Sequence, residues 1–91
     1  MPSAQLKIIN PLGLHARAAS KFVDVAKNFG ADIYVTNDKG ETADGKRIMN
    51  LLLLGAPVGS GIRLSAEGED AADALIALSD LINAGFHELD D

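Results

Sequence analysis

The spacing of apolar residues changes several times along the chain, and each change marks an element. Gln5-Leu6-Lys7-Ile8 alternates polar and apolar, as a half-buried strand does, and Asn10-Pro11 ends it. From Ala16 to Phe29 the apolar residues Ala19, Phe22, Val23, Ala26 and Phe29 recur at helical spacing, while Lys21, Asp24, Lys27 and Asn28 take the other face. This predicts an amphipathic helix with Gly30 as its stop. Asp32-Ile33-Tyr34-Val35-Thr36 reads as a strand, Asn37-Asp38-Lys39-Gly40 as a turn, and Glu41 to Ala43 as the short return strand of a hairpin. The run Ile48 to Leu54 fits a buried strand or a short helix. Its unbranched Leu and Met favour a helix starting near Lys46 and ending at Gly55. Ile62 to Glu67 alternates again, with Ile62, Leu64 and Ala66 on the apolar side. The last helix carries a stripe of Ala71, Ala74, Leu75, Leu78, Leu81 and Ile82, with Asp70 as expected N-cap and Gly85 as stop.

The resulting order, β-α-β-β-α-β-α, is an α+β pattern: an antiparallel sheet covered on one face by helices. A chain of 91 residues fits a single domain, residues 1–91, with no repeats or linkers. With 47% hydrophobic and 23% charged residues the composition is that of a globular protein. There is no cysteine, which removes disulfides and thiolate metal sites, and a reducing, cytoplasmic setting is expected. The start lacks a basic region followed by a long apolar stretch, and no run is long enough to span a bilayer, so the expectation is a soluble, unexported protein with no membrane association.

A net charge of -5 argues against binding nucleic acid, which draws on concentrated Lys and Arg. The four aromatic residues, Phe22, Phe29, Tyr34 and Phe86, are also too few for an RNA-stacking surface. A protein partner with basic patches fits the net negative charge better, while the acidic runs at Glu67 to Asp73 and in the tail, Glu88, Asp90 and Asp91, read as solvated faces. Two distant histidines without cysteines do not make a metal site, and no cofactor is implied.

The chemistry concentrates at Pro11-Leu12-Gly13-Leu14-His15-Ala16-Arg17-Ala18-Ala19, where a glycine-hinged loop meets the start of the first helix. The first amides of a helix lack intrahelical partners and carry the positive end of its dipole, so an anion held on His15 would find donors in Ala16 and Arg17. Arg17 adds a permanent positive charge. A nucleophilic nitrogen, free amides and a guanidinium together form a place to receive a phosphoryl group. His87 is expected to be a solvated tail residue. Asn10 and Ser20 have hydrogen-bonding capacity toward the loop or the phosphate, with capping or solvent roles equally open.

Leu14-His15-Ala16-Arg17, the order of elements, and Ser65-Ala66-Glu67-Gly68-Glu69-Asp70 before the last helix resemble the HPr family of phosphocarrier proteins across nearly the whole chain. The resemblance implies a two-layer open-faced sandwich: a four-stranded antiparallel sheet with three helices on one face. It also implies a monomeric carrier in the phosphoenolpyruvate-dependent phosphotransferase system. There enzyme I phosphorylates the histidine, at Nδ1, and a IIA-type protein removes the phosphoryl group. His15 takes the carrier role by position, and the protein would be an intermediate in a relay rather than a stand-alone enzyme. The ending Asn83-Ala84-Gly85-Phe86 with an acidic tail is similar to the nitrogen-related branch.

Two departures from the family pattern stand out. Ala18 occupies the place where many members have proline, which leaves one more free amide in the first helical turn. Arg47 takes the place where some members carry a regulatory serine, allowing one extra residue in the preceding hairpin. Serine regulation is therefore not carried over.

Docking needs a surface as well as a nucleophile. Ile48, Met49, Leu52 and Leu53 are more large apolar residues than one buried face can use, so some of them, with Ser20, are expected to form a small apolar apron around His15. The alternative, that they are all core, suits a short helix that is apolar all round. The competing functional reading is a small regulatory or metabolite-binding module in which His15 is a binding or capping group and no covalent phosphorylation occurs.

Overall fold

The structure is a computed structural model that describes residues 2–87. The acidic tail at Glu88, Asp90 and Asp91 lies outside the described residues. The elements run β1 (Ser3–Lys7), α1 (Ala16–Ala26), β2 (Asp32–Thr36), β3 (Thr42–Asp44), α2 (Ile48–Leu54), β4 (Gly61–Glu67) and α3 (Ala71–Asn83), closed by a short 3₁₀ turn at Gly85–His87.

The strands form one antiparallel sheet in the order β1-β4-β2-β3. β4 pairs with β1 through Gln5↔Arg63 and with β2 through Tyr34↔Ser65, so β1 and β2 run parallel with β4 between them. The unit β1-α1-β2 is thus a split crossover, and β3-α2-β4 is a second one interleaved with it, β2 lying between β3 and β4. Both crossovers leave their helices on the same side. Ile33, Val35, Ile62, Leu64 and Ala66 point into the core beneath them, joined by Ala18, Ala19, Phe22, Val23, Leu51, Leu54, Leu78 and Ile82. Alternate residues such as Gln5, Arg63 and Thr36 face out on the open side, as period-two alternation requires.

The α3 stripe read from the sequence is buried in full, as is the Ile62, Leu64, Ala66 side of β4. Boundaries moved where side chains claimed the backbone. α1 ends at Ala26 rather than Phe29, because Asn28 and Phe29 donate to Val25 and Ala26 in tight turns and Lys46 Nζ takes the Phe29 carbonyl at 2.8 Å. Gly30 does not stop the helix through a left-handed conformation: its amide donates to Asp70 Oδ2 at 2.9 Å. Asp70 stands at the N-cap of α3 but makes no capping bond there. Its other oxygen accepts from Ala31 at 2.8 Å, so this carboxylate clamps the α1–β2 connection. The Gly30 hydrogen bond, opposed by partial burial and reinforced by Ala31, holds the Asp70 carboxyl below its ordinary value.

β3 is Thr42–Asp44, one residue later than the pattern indicated, and α2 begins at Ile48 rather than near Lys46. Asp44 explains the delay, since its Oδ1 accepts from the Lys46 amide at 2.9 Å and holds a turn that helical geometry would break. Gly45 at the centre of that turn lies so close to β2 that a Cβ would stand 2.7 Å from Ile33 Cγ2.

Candidate functional site

The loop between β1 and α1 is tied down at nearly every residue. Ile8 extends the sheet past β1 by accepting from Gly59 at 2.7 Å and donating to Ser60 at 2.9 Å. The Gly13 amide then donates to Asn10 O at 3.0 Å, closing a turn, and the Leu14 amide donates to Ala56 O at 2.9 Å, just past the end of α2. The Leu14 side chain is buried in the core. Gly13 has φ +65°, and a Cβ there would lie 2.5 Å from Ala56 O, so both the conformation and the contact require glycine.

The Asn10 side chain is fully buried, and its Nδ2 donates to Gly13 O at 2.7 Å. The same carbonyl accepts the His15 amide at 2.9 Å. Of the options open for Asn10 in the sequence, the structure selects the loop.

His15 follows as the N-cap of α1, with extended backbone (φ −84°, ψ −178°) and a half-exposed side chain that makes no capping bond to the helix. Its carbonyl accepts the Ala19 amide at 2.8 Å, the first bond of the helix. The amides of Ala16, Arg17 and Ala18 precede that bond and have no carbonyl to pair with inside α1. Ala16 and Arg17 are exposed, and Ala18 is buried. The imidazole therefore stands at the positive end of a helix dipole, two residues ahead of the exposed Arg17. Arg17, Ser20, Lys21 and Asp24 share the outer face of α1, and Ser20 is half-buried.

The chain as a whole is similar to known proteins. Residues 2–84 match the family described as PTS HPr component phosphorylation site. The chain belongs to the HPr family of phosphocarriers of the phosphotransferase system. It is 46% identical over 88 residues to the phosphocarrier protein HPr of Pseudomonas aeruginosa, covering 97% of this chain and 98% of that one. To the phosphocarrier protein NPr of Klebsiella oxytoca it is 37% identical over 83 residues, covering 91% and 92%. The crystal structure of HPr-C-His from Thermoanaerobacter tengcongensis superimposes with a TM-score of 0.92 at 41% identity, covering 97% of this chain and 98% of that one. The open-faced sandwich expected from the family resemblance is the fold observed.

The residues expected to form the apron divide by exposure. Leu53 is 81% exposed, Met49 64% and Ile48 39%, while Leu52 is half-buried and packs on the core. Leu51 and Leu54 point inward and seat α2. α2 packs against α1, and the Leu14–Ala56 bond draws its C-terminal end toward the histidine loop. The loop adds Leu12, 71% exposed, which the sequence reading did not include in the apron.

Other anchors were not legible as such. Asn37, read as one residue of a turn, is buried: its Nδ2 donates to Glu41 Oε1 at 2.9 Å and to Leu54 O at 3.1 Å. Its Oδ1 accepts from the Lys39 and Glu41 amides at 3.0 and 2.9 Å, so one amide group ties the hairpin to the end of α2. Phe86 is fully buried in a left-handed conformation (φ 56°), and Lys21 Nζ donates to its carbonyl at 2.6 Å. His87 is exposed, as expected. Arg47 pairs with Asp44 at 3.5 Å at the exposed start of α2. No group of three or more metal-ligating side chains occurs among the described residues, and no helix in them is long and apolar enough to cross a membrane.

Proposed function

We propose that His15 is the phosphoryl acceptor of this phosphocarrier, receiving the group from phosphorylated enzyme I and passing it to a IIA-type protein. The observation that carries this reading is the placement of the His15 ring at the N-cap of α1, ahead of the Ala16 and Arg17 amides. In the transfer, the lone pair of one ring nitrogen, Nδ1 by family resemblance, forms the new N–P bond. The bond from phosphorus to the donor breaks, and its electron pair returns to the donor. Little covalent chemistry is left for other side chains, so the chain's contribution is alignment and neutralisation of the phosphoryl oxygens. The Ala16 and Arg17 amides and the Arg17 guanidinium supply it.

Onward transfer requires that this grip be moderate, which suits exposed donors that strengthen only when a partner excludes water. Ile48, Met49 and Leu53 form the landing surface, with Leu52 and Ser20 at its margin. The contact is small and transient, as a relay demands. The chain acts as a single domain of 91 residues, a monomer in the cytoplasm, and is a substrate of its partners rather than a stand-alone enzyme.

Incubation with phosphoenolpyruvate and enzyme I, followed by intact-mass measurement, tests the assignment. One acid-labile phosphate adduct is expected on the wild type and none on His15→Ala. Equal labelling of both would move the site elsewhere. Labelling of neither would favour a module that works without phosphorylation.

A further inference from the structure

We infer that Asn10 is a positioning residue for phosphoryl transfer: its buried amide fixes the turn that aims His15, an assignment that rests on His15 being the acceptor. Asn10 and Asn37 are the buried polar side chains among the described residues, and Asn10 has no accessible surface at all. A polar group is brought wholly into an apolar interior only against a desolvation cost, so its hydrogen bonds matter there. Asn10 Nδ2 reaches Gly13 O at 2.7 Å across the turn whose backbone is closed by Gly13 N to Asn10 O at 3.0 Å. The Gly13 carbonyl is the hinge of the arrangement, because it also accepts the His15 amide at 2.9 Å.

The Asn10 side chain therefore holds the carbonyl edge of the Gly13–Leu14 peptide plane, from which the backbone runs on to His15. Gly13 alone does not settle that plane, since a glycine has wide rotational freedom. The Leu14 amide, the opposite edge of the same planar Gly13–Leu14 peptide, donates to Ala56 O at 2.9 Å, so the plane is pinned at both edges and keeps only one pivot when the Asn10 bond is lost. α1 and α2, which carry the proposed docking surface, begin beyond this turn and are seated by core contacts of their own. Loss of Asn10 is thus expected to misaim the nucleophile while leaving docking intact, a split that general destabilisation does not produce.

The experiment compares wild type, Asn10→Ala and Asp70→Ala as acceptors from phosphorylated enzyme I. Transfer rate is measured against acceptor concentration well below the melting temperature and corrected for the folded fraction. Asp70→Ala removes a clamp on the α1–β2 connection, outside the site, and controls for lost stability. For Asn10→Ala the saturating rate should fall about tenfold or more, with half-saturation within about twofold of wild type. Asp70→Ala should change neither. Amide exchange at His15 should accelerate in Asn10→Ala while that at Ala19 stays protected. If Asn10→Ala does not fold, Asn10→Ser, whose shorter hydroxyl makes a weaker turn bond, should show the same split to a smaller degree. A folded Asn10 variant with an unchanged saturating rate, or an equal loss in Asp70→Ala, overturns the inference. Failure of the wild type to be labelled instead overturns the phosphoryl-acceptor reading of His15, and the exchange measurement still decides whether Asn10 holds the loop.

Discussion

Gly13 and Ala56 meet backbone to backbone: a Cβ on Gly13 would stand 2.5 Å from the Ala56 carbonyl oxygen that receives the Leu14 amide. This contact fastens the histidine loop to the end of the helix that carries the proposed docking residues. Gly13→Ala must both distort that contact and hold a non-glycine residue at φ +65°. Left-handed backbone alone costs about 1–3 kcal/mol, so the melting temperature is expected to fall by about 8 °C or more, with loss of phosphoryl acceptance in the folded fraction. Thermal unfolding by circular dichroism and the phosphorylation assay check both parts.

Neighbouring leucines in α2 should behave oppositely. Leu51 is fully buried, and Leu51→Ala is expected to cost about 2–5 kcal/mol in denaturant unfolding. Leu53 is 81% exposed, and Leu53→Asp should change stability by no more than about 0.5 kcal/mol. The same Leu53→Asp change should raise the half-saturating concentration for enzyme I about tenfold, because a charge enters an apolar contact.

Arg17 is exposed, so replacing it leaves the fold intact and isolates its chemistry. Arg17→Lys keeps the charge and loses the planar fork that engages phosphoryl oxygens in pairs. The expected outcome is a transfer rate lower by about tenfold at unchanged melting temperature, because one charge-assisted hydrogen bond is weakened. A rate equal to wild type would show that net charge alone suffices.

Asp70 makes stability depend on acid. Its carboxyl is held below the ordinary value of 3.8 by the Gly30 hydrogen bond first, and the ionised form is the one that binds. A depressed pKa in the folded state contributes stability that is fully present above the ordinary value and is lost as pH falls through the folded value. The difference in melting temperature between wild type and Asp70→Asn should therefore be constant near neutral pH and shrink below about pH 3.8. A difference independent of pH would refute the clamp.

The sequence by itself determined the class of fold, the faces that α1 and α3 bury and the place of His15 at a loop-to-helix junction. These are local properties: periodicity names the buried side of α3 and β4, and a histidine at a loop-to-helix junction acquires the helix amides whatever the rest of the chain does. It also marked the large apolar residues of α2 without deciding which of them face out, since a seven-residue helix that is apolar nearly all round has no readable stripe. That decision came from packing, which turned Leu51 and Leu54 inward, left Met49 and Leu53 to solvent and set Leu52 between them.

Only the tertiary structure decided where single polar groups spend their hydrogen bonds. Asp70, read as a helix cap, reaches across 40 residues to Gly30, and Asn37 reaches 17 residues to Leu54. Such bonds depend on which segments the sheet brings together, and residue type along the chain carries no trace of that. Phe86 is the same case in apolar form, since its burial depends on the gap between α1 and α3 rather than on any repeat in its own neighbourhood.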